Sequence, residues 1–385
     1  MLIKNAQIYT EQEVVNGHLL IDRGKIAQIY LELPQDLPKD IEMIEVNYLN
    51  LIPGFIDTHI HGANGADVMD HTPESIETIA KFLVTEGTTS FLATTITQSK
   101  ETIEHALANL AHYNNIDNGA EMIGIHLEGP FVEKSKAGAQ PLEYIIKPDL
   151  KLFNHWQQVA NRTIKTVTIA PEHDQDFQFT SALRAENINV SAGHTSMNFS
   201  TMKLAVANGV NQVTHLCNAM NGIHHRDIGV VGGTFLLEDV YAEIIADGIH
   251  VDPAMLALIY QNIGPNRLIL ITDSMRAKGL HPGIYELGGQ PVQVSEDRAV
   301  LANGVLAGSV LKMIDGAKQF FAIPEVTIHD IILMASINPA KQAGVFHEKG
   351  SIAVGKDADL LLVDNDLDLK LTFKKGKIVY QGVSQ

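Results

Sequence analysis

The pattern of apolar and polar positions changes character twice along the chain. Up to residue 50 it runs in short alternating stretches broken by turns. Residues 2–8 read as one strand, and 17–26 as two runs joined at Asp22-Arg23-Gly24. From 347 onward the same texture returns, with strands at 350–356 and 358–363 and a pair around Lys375-Gly376-Lys377. Neither end carries a helical period. The economical arrangement is a small β-sandwich-like domain built from 1–50 and 347–385, with residues 51–346 inserted between them as a second domain.

In that insert, apolar runs of strand length alternate with amphipathic helical stretches, the signature of βα units around a parallel sheet. The clearest helix is 73–86. Thr72 caps it, Pro73 takes the first position, Ile76, Ile79, Phe82 and Leu83 share one face, and Gly87 stops it. Strands are predicted at 54–59, 90–95, 122–127, 166–170, 189–192, 212–215, 243–246 and 268–272. Eight such units predict a (β/α)8 TIM barrel in the α/β class. The Gly-, Val- and Leu-rich stretch 283–308 predicts a hairpin or loop after the eighth strand.

Composition narrows the function. The 385 residues are 45% apolar and 19% charged, ample for a buried core. Lys and Arg number 28 against 45 Asp and Glu, a net charge of −17. A chain this acidic has no electrostatic footprint for nucleic acid or an anionic membrane. An anionic ligand would need a local cluster of donors. No run approaches the ~20 apolar residues of a membrane span, and the first residues lack a signal-like apolar region. A single cysteine, Cys217, excludes an internal disulfide framework. These features predict a cytoplasmic protein without nucleic-acid or membrane partners.

Seventeen histidines stand out, several beside carboxylates at predicted strand ends. The first strand ends in Asp57-Thr58-His59-Ile60-His61, the third in His126-Leu127-Glu128 and the fifth in Gly193-His194. The sixth ends in Thr214-His215, the seventh in Asp247-Gly248-Ile249-His250 and the eighth in Thr272-Asp273-Ser274. A barrel gathers these ends on one rim, where barrel enzymes carry their sites. His59 and His61, two apart on a strand, face the same side and can chelate one ion. Taken singly, each residue has an ordinary alternative: a core histidine, a helix cap, a hydrogen-bonded buried carboxylate. Four histidines and two carboxylates on five strand ends together form an open nitrogen and oxygen set, suited to zinc or ferrous iron and poor for calcium or magnesium.

These motifs carry a resemblance. Pro53-Gly54-Phe55-Ile56-Asp57-Thr58-His59-Ile60-His61-Gly62 is similar to the first-strand signature of the amidohydrolase superfamily. The Glu128-Gly129-Pro130, Gly193-His194-Thr195, Thr214-His215-Leu216-Cys217-Asn218-Ala219 and Asp247-Gly248-Ile249-His250 segments, with Asp273 and Leu306-Ala307-Gly308-Ser309, resemble the N-acetylglucosamine-6-phosphate deacetylase family. The resemblance spans nearly the whole chain. It implies metal-dependent hydrolysis of the N-acetyl group of a phosphorylated amino sugar, and a homodimer or larger homo-oligomer. It makes Glu128, His194 and His215 ligands of a metal common to all members. His59 and His61 become ligands of a second metal, found where both histidines are kept, giving one or two divalent ions per chain with Zn²⁺ or Fe²⁺ as candidates. Asp273 becomes the acid and base. Ala139, Gln140, Asn218, Ala219, Arg226, Asp247, Gly248, Ile249, His250, Leu306, Ala307 and Gly308 become substrate positions, with Arg226 and His250 near the phosphate. One departure is Gln140, where some members have a histidine: its amide can hydrogen-bond but carries no charge.

Three other readings compete with this one. A cyclic-amide hydrolase ordinarily bridges its metals with a modified lysine ending strand four, but that strand here ends Ala170-Pro171-Glu172-His173. A deaminase carries a glutamate shortly after the strand-five histidine, where Thr195-Ser196-Met197-Asn198 stands here. A catalytically silent barrel used for binding would be marked by a broken ligand set, and this set is intact.

Overall fold

Eight parallel strands, Phe55–Ile60, Thr88–Thr95, Glu121–Glu128, Ile164–Ile169, Asn189–Ala192, Gln212–Val213, Tyr241–Ile245 and Leu268–Ile271, pair in chain order. The computed structural model describes residues 1–38 and 40–382. Most of these strands are buried along nearly their whole length, which is why they read as continuous apolar runs rather than alternations. The seam between strands one and eight closes just beyond their ends. Asp273 N donates to His59 O at 2.8 Å and His61 N to Ser274 O at 2.9 Å. The Asp57 carboxylate accepts from the Thr272 amide at 3.3 Å and its hydroxyl at 2.5 Å. This closure sets His59, His61 and Asp273 side by side.

The helix predicted after strand one runs Pro73–Leu83 and tightens into a 3₁₀ turn, Val84–Glu86. The Thr72 hydroxyl accepts from Ser75 N, and Gly87 ends the element at φ +84°. The barrel core continues outward through Phe131, Phe153, Trp156 and Phe179, all buried. Burial of side chains this size contributes about 1.5–3 kcal/mol each.

Strands from both termini form one eight-stranded sheet with its own apolar cluster, including Ile3, Ile8, Leu19, Leu51, Leu360, Leu362 and Phe373. Two details differ from the sequence reading. The strand Asn50–Pro53 belongs to this sheet, pairing with Leu2–Tyr9 and Leu360–Val363, so the sheet runs three residues past the boundary expected at 50. Residues 350–356 form no regular strand; they touch the sheet through isolated bridges at Ile352 and, next along, Asp357. Gly350 and Gly355, at φ +84° and +93°, turn the chain out of the extended conformation there.

Sheet and barrel are joined by buried charge. Lys349 lies 2.7 Å from both Asp357 and Asp359 and 3.1 Å from Glu121, which also pairs with Lys374. Burial works against the charged form of Glu121, but Lys374 and Lys349 outweigh it and hold the carboxyl at about 2. After strand eight the expected hairpin is a three-stranded antiparallel sheet, Gly283–Leu287, Gln290–Val294 and Ala299–Leu301. It packs against Ile96 and Met275 at the barrel mouth. Among the described residues no helix is long and apolar enough to cross a membrane.

Candidate metal centre and active site

Three of the chemistry-bearing side chains leave the barrel rim on left-handed backbone. His194, His215 and Asp273 have φ of +46°, +32° and +48°, each directly after or near the end of its strand. Non-glycine residues occupy this region at a cost of order 1–3 kcal/mol, and such positions cluster at active sites. The turn ends each ladder early, strand six after only two residues, and swings the side chain over the barrel mouth. Gly308 supports Asp273 from outside: it has φ +63°, and a Cβ there would lie 3.0 Å from the Asp273 carbonyl. Ser309 N can then donate to that carbonyl at 2.8 Å.

The four imidazoles converge through Nε2. His194 Nε2 and His215 Nε2 are 3.1 Å apart and each 3.2 Å from Glu128 Oε1. Three ligands about 2.0–2.2 Å from one tetrahedral zinc stand roughly 3.3 Å from each other, so this triangle has the size of one face of such a shell. A proton shared between the rings satisfies one edge, whereas a cation satisfies all three. Beside it, His61 Nε2 lies 3.3 Å from Glu128 Oε2 and 3.1 Å from Asp273 Oδ1. His59 Nε2 lies 3.5 Å from both Glu128 Oε1 and Asp273 Oδ1, is fully buried, and has no hydrogen-bond partner. Glu128 faces both groups of donors. The residues present therefore fit one divalent cation at Glu128, His194 and His215, and offer a second set at His59, His61 and Glu128.

The opposite ring nitrogens explain the orientation. His61 Nδ1 meets Thr94 O at 3.2 Å, His194 Nδ1 meets Lys136 O at 2.8 Å, and His59 Nδ1 meets Glu243 Oε2 at 3.0 Å. A carbonyl or carboxylate there accepts a hydrogen bond from Nδ1–H and leaves the Nε2 lone pair facing inward, the usual support of a metal-binding histidine. In the protein without a cation, the ring protons themselves supply positive charge to the carboxylates. Burial disfavours a charged His61, yet Asp273 and Glu128 raise it to about 10. Burial also opposes ionised Asp273, but His59 and His61 bring it down to about 2. Glu128 falls well below the usual carboxylate range against burial, through His59, His194 and His215. Such a set demands positive charge at its centre, which a divalent cation supplies as it displaces ring protons.

Above the donors opens a cavity of about 500 Å³ lined by His61, Glu128, His194, His215 and Asp273. Of the residues expected near substrate, Ala139, Gln140, Asn218, Ala219, His250, Leu306 and Gly308 line it, as does Lys136. Arg226, Asp247, Gly248, Ile249 and Ala307 do not. Arg226 is exposed and bonded to His225 Nε2 at 2.7 Å. Ala307 is buried, its amide donating to Ala299 O. Asp247 accepts from Ile249 N at 2.8 Å, His250 N at 2.7 Å and His250 Nδ1 at 2.6 Å. It holds the loop and leaves His250 Nε2 for a ligand. Gln140 donates to Glu128 Oε2 at 2.8 Å and accepts from Thr97 N at 2.9 Å, so its amide orients Glu128.

Sequence reasoning gave no role to the polar layer under these donors. Glu243, His126 and Asp57 are all wholly buried. His126 bonds Thr58 O at 3.1 Å and Thr168 Oγ1 at 2.7 Å, and burial with the charge of His59 keeps it far below its usual range, hence neutral. The available signal was an ionisable residue inside an apolar barrel strand.

Residues 50–379 match the Amidohydrolase family. The chain belongs to this family. It is 46% identical to the N-acetylglucosamine-6-phosphate deacetylase of Bacillus subtilis (strain 168), over 99% of this chain and 97% of that one. Its fold matches the crystal structure of N-acetylglucosamine-6-phosphate deacetylase from Thermotoga maritima at a TM-score of 0.88 and 32% identity, covering 99% of this chain and 100% of the other. It also matches a Mycobacterium smegmatis N-acetyl-D-glucosamine-6-phosphate deacetylase variant in complex with N-acetyl-D-glucosamine-6-phosphate. There the TM-score is 0.90 and the identity 29%, covering 98% and 99% of the two chains.

Proposed function

We infer that this chain is a hydrolase that removes the N-acetyl group of N-acetylglucosamine 6-phosphate, giving glucosamine 6-phosphate and acetate. The observation that carries the chemistry is the Glu128, His194 and His215 triangle beside His61 and Asp273 on the floor of one open cavity, with the buried His59 within 3.5 Å of Glu128 and Asp273. The full-length similarity to the Bacillus subtilis deacetylase supports the substrate. The reaction is metal-dependent. We assign Zn²⁺ as the ion, from the imidazole and carboxylate donor set; Glu128, His194 and His215 would hold one ion, and His59, His61 and Glu128 would hold a second.

A divalent cation held there supplies Lewis acidity, activating water near neutral pH and polarising the acetyl carbonyl. Asp273 Oδ1 faces the donor cluster, 3.1 Å from His61 Nε2, and takes the proton of the attacking water. The new bond forms between the water oxygen and the acetyl carbon. As the C–N bond breaks, Asp273 returns the proton to the sugar nitrogen, which leaves as a neutral amine rather than an amide anion. His250, fixed by Asp247, presents Nε2 to the substrate, and Asn218 offers hydrogen bonds along the same wall. Lys136 adds positive charge at the mouth, answering the chain's net charge of −17. Arg226, whose planar fork suits phosphate, lies on an exposed loop outside the cavity, so its part in binding rests on that loop folding over the bound sugar. We assign the protein to the cytoplasm as a homo-oligomer, an assembly that light scattering on the purified protein tests.

Amine release is the test, measured with N-acetylglucosamine 6-phosphate, its galacto epimer and unphosphorylated N-acetylglucosamine. Preference for the first by at least tenfold in kcat/KM is expected. Equal turnover of the unphosphorylated sugar overturns the phosphate assignment, and preference for the epimer overturns the gluco assignment.

A further inference from the structure

Barrel interiors are ordinarily filled with branched apolar side chains, and burying a carboxylate there is costly unless it is fully engaged. Glu243, inside strand seven, is such a carboxylate, completely shielded from solvent beneath the donor cluster. Its Oε2 lies 3.0 Å from His59 Nδ1 and 3.4 Å from the His215 backbone N, and its Oε1 accepts from Gln212 Nε2 at 2.7 Å. One side chain therefore touches a residue from each of the two donor groups. The contacts are unequal: it grips the ring of His59 but only the main chain of His215.

His59 is also the ring with the most distinctive support. His61 and His194 rest their Nδ1 atoms on neutral carbonyls, and His215 Nδ1 has no hydrogen-bond partner. Only His59, among the four, has a carboxylate behind it. A carboxylate partner fixes the tautomer and the ring plane and makes the inward nitrogen a stronger donor. His59 Nε2, an inward-facing nitrogen with no hydrogen-bond partner, is the nitrogen so prepared.

We propose that Glu243 is the positioning residue for the second metal position. By accepting the hydrogen bond of His59 Nδ1–H it aims Nε2 at the space between Glu128 and Asp273, and so sets whether that position fills. Gln212 holds the carboxylate in place from its other side. This rests on the metal-centre part of the proposed function and not on its substrate.

The test is Zn²⁺ titration of the metal-stripped protein by calorimetry, with bound metal counted by mass spectrometry after desalting. Glu243→Gln preserves shape and an acceptor oxygen, since Gln212 can rotate its amide to match, but removes the charge. The parent is expected to bind two Zn²⁺. In Glu243→Gln the step assigned to Glu128, His194 and His215 keeps its affinity and the other weakens 10- to 100-fold. In a His59→Asn background the same change has no further effect, the mark of coupling through that ring. If Glu243→Gln does not fold, Gln212→Leu, which frees Oε1 and loosens the carboxylate, is expected to weaken the same step to a smaller degree. An unchanged second step in either folded variant overturns the proposal. So does equal weakening of both steps, or a parent that saturates at one Zn²⁺. A protein that binds two Zn²⁺ with this pattern yet hydrolyses no acetylated sugar counts against the substrate reading alone.

Discussion

Asp273→Asn separates proton transfer from every other task of the site. The substitution keeps the side chain's size. Asparagine is also among the residues most tolerant of the left-handed backbone that position 273 requires, at φ +48°. The anchoring contacts, Asp273 N to His59 O and Ser309 N to Asp273 O, both 2.8 Å, are main-chain and survive. The group lost is the one atom pair able to take and return a proton, now 3.1 Å from His61 Nε2 and 3.5 Å from His59 Nε2. Losing a general acid–base costs about 10²–10⁴-fold. Because Asp273 acts both on water and on the leaving nitrogen, kcat is expected to fall about 10³–10⁴-fold, or roughly 4–5.5 kcal/mol in barrier. KM is expected to stay within threefold. Steady-state acetate release, with metal content measured on the same sample, reads both quantities. A variant within tenfold of the parent refutes the proton-transfer role. A large loss accompanied by loss of the metal at Glu128, His194 and His215 refutes the separation of roles.

Asp247→Ala removes both bonds to His250 and a third to the Ile249 amide, and is expected to lower kcat/KM about 10- to 100-fold, with metal content unchanged. An unaltered kcat/KM would release His250 from substrate binding. Arg226→Ala is expected to raise KM about tenfold with kcat nearly constant, from loss of a charge-assisted phosphate contact, and an unchanged KM removes Arg226 from the site. Glu121 sits at about 2, below its ordinary 4.5, so its ion pairs stabilise fully above pH ~4.5 and are lost as pH falls toward 2. Discounted for partial exposure, the shift is worth about 2–3 kcal/mol. Glu121→Gln should therefore destabilise by that amount at pH 7 and by little near pH 2–3 in urea unfolding, and a gap independent of pH contradicts the assignment.

The fold was legible where burial dictates pattern. Eight apolar runs predicted the eight strands because a parallel barrel buries both faces of each, and the helix at Pro73 announced itself through Thr72, Pro73 and Gly87. The ionisable residues that gather at the rim were visible as well, since barrel topology alone carries strand ends to one place. What escaped depends on partners distant in sequence or on loop shape. Glu243 reads as the polar start of an apolar strand, because its partner His59 is 184 residues away. Asp57 reads as part of a motif, while its role at the barrel seam depends on Thr272, 215 residues away. Arg226 follows the substrate motif in sequence, but the loop that bears it turns out to solvent. Periodicity says nothing about such a turn. The stretch 350–356 looked extended from its side chains, yet two left-handed glycines break it.

The central claim is that the clustered histidines and carboxylates hold the metal that makes this chain an amide hydrolase. Its most direct test is to strip the purified protein with chelator and follow acetate release from N-acetylglucosamine 6-phosphate while Zn²⁺ is added back stepwise. The account predicts no turnover in the stripped protein and recovery in proportion to bound metal, complete by two equivalents. Full turnover without metal, or a fully loaded protein that releases no acetate, would contradict it.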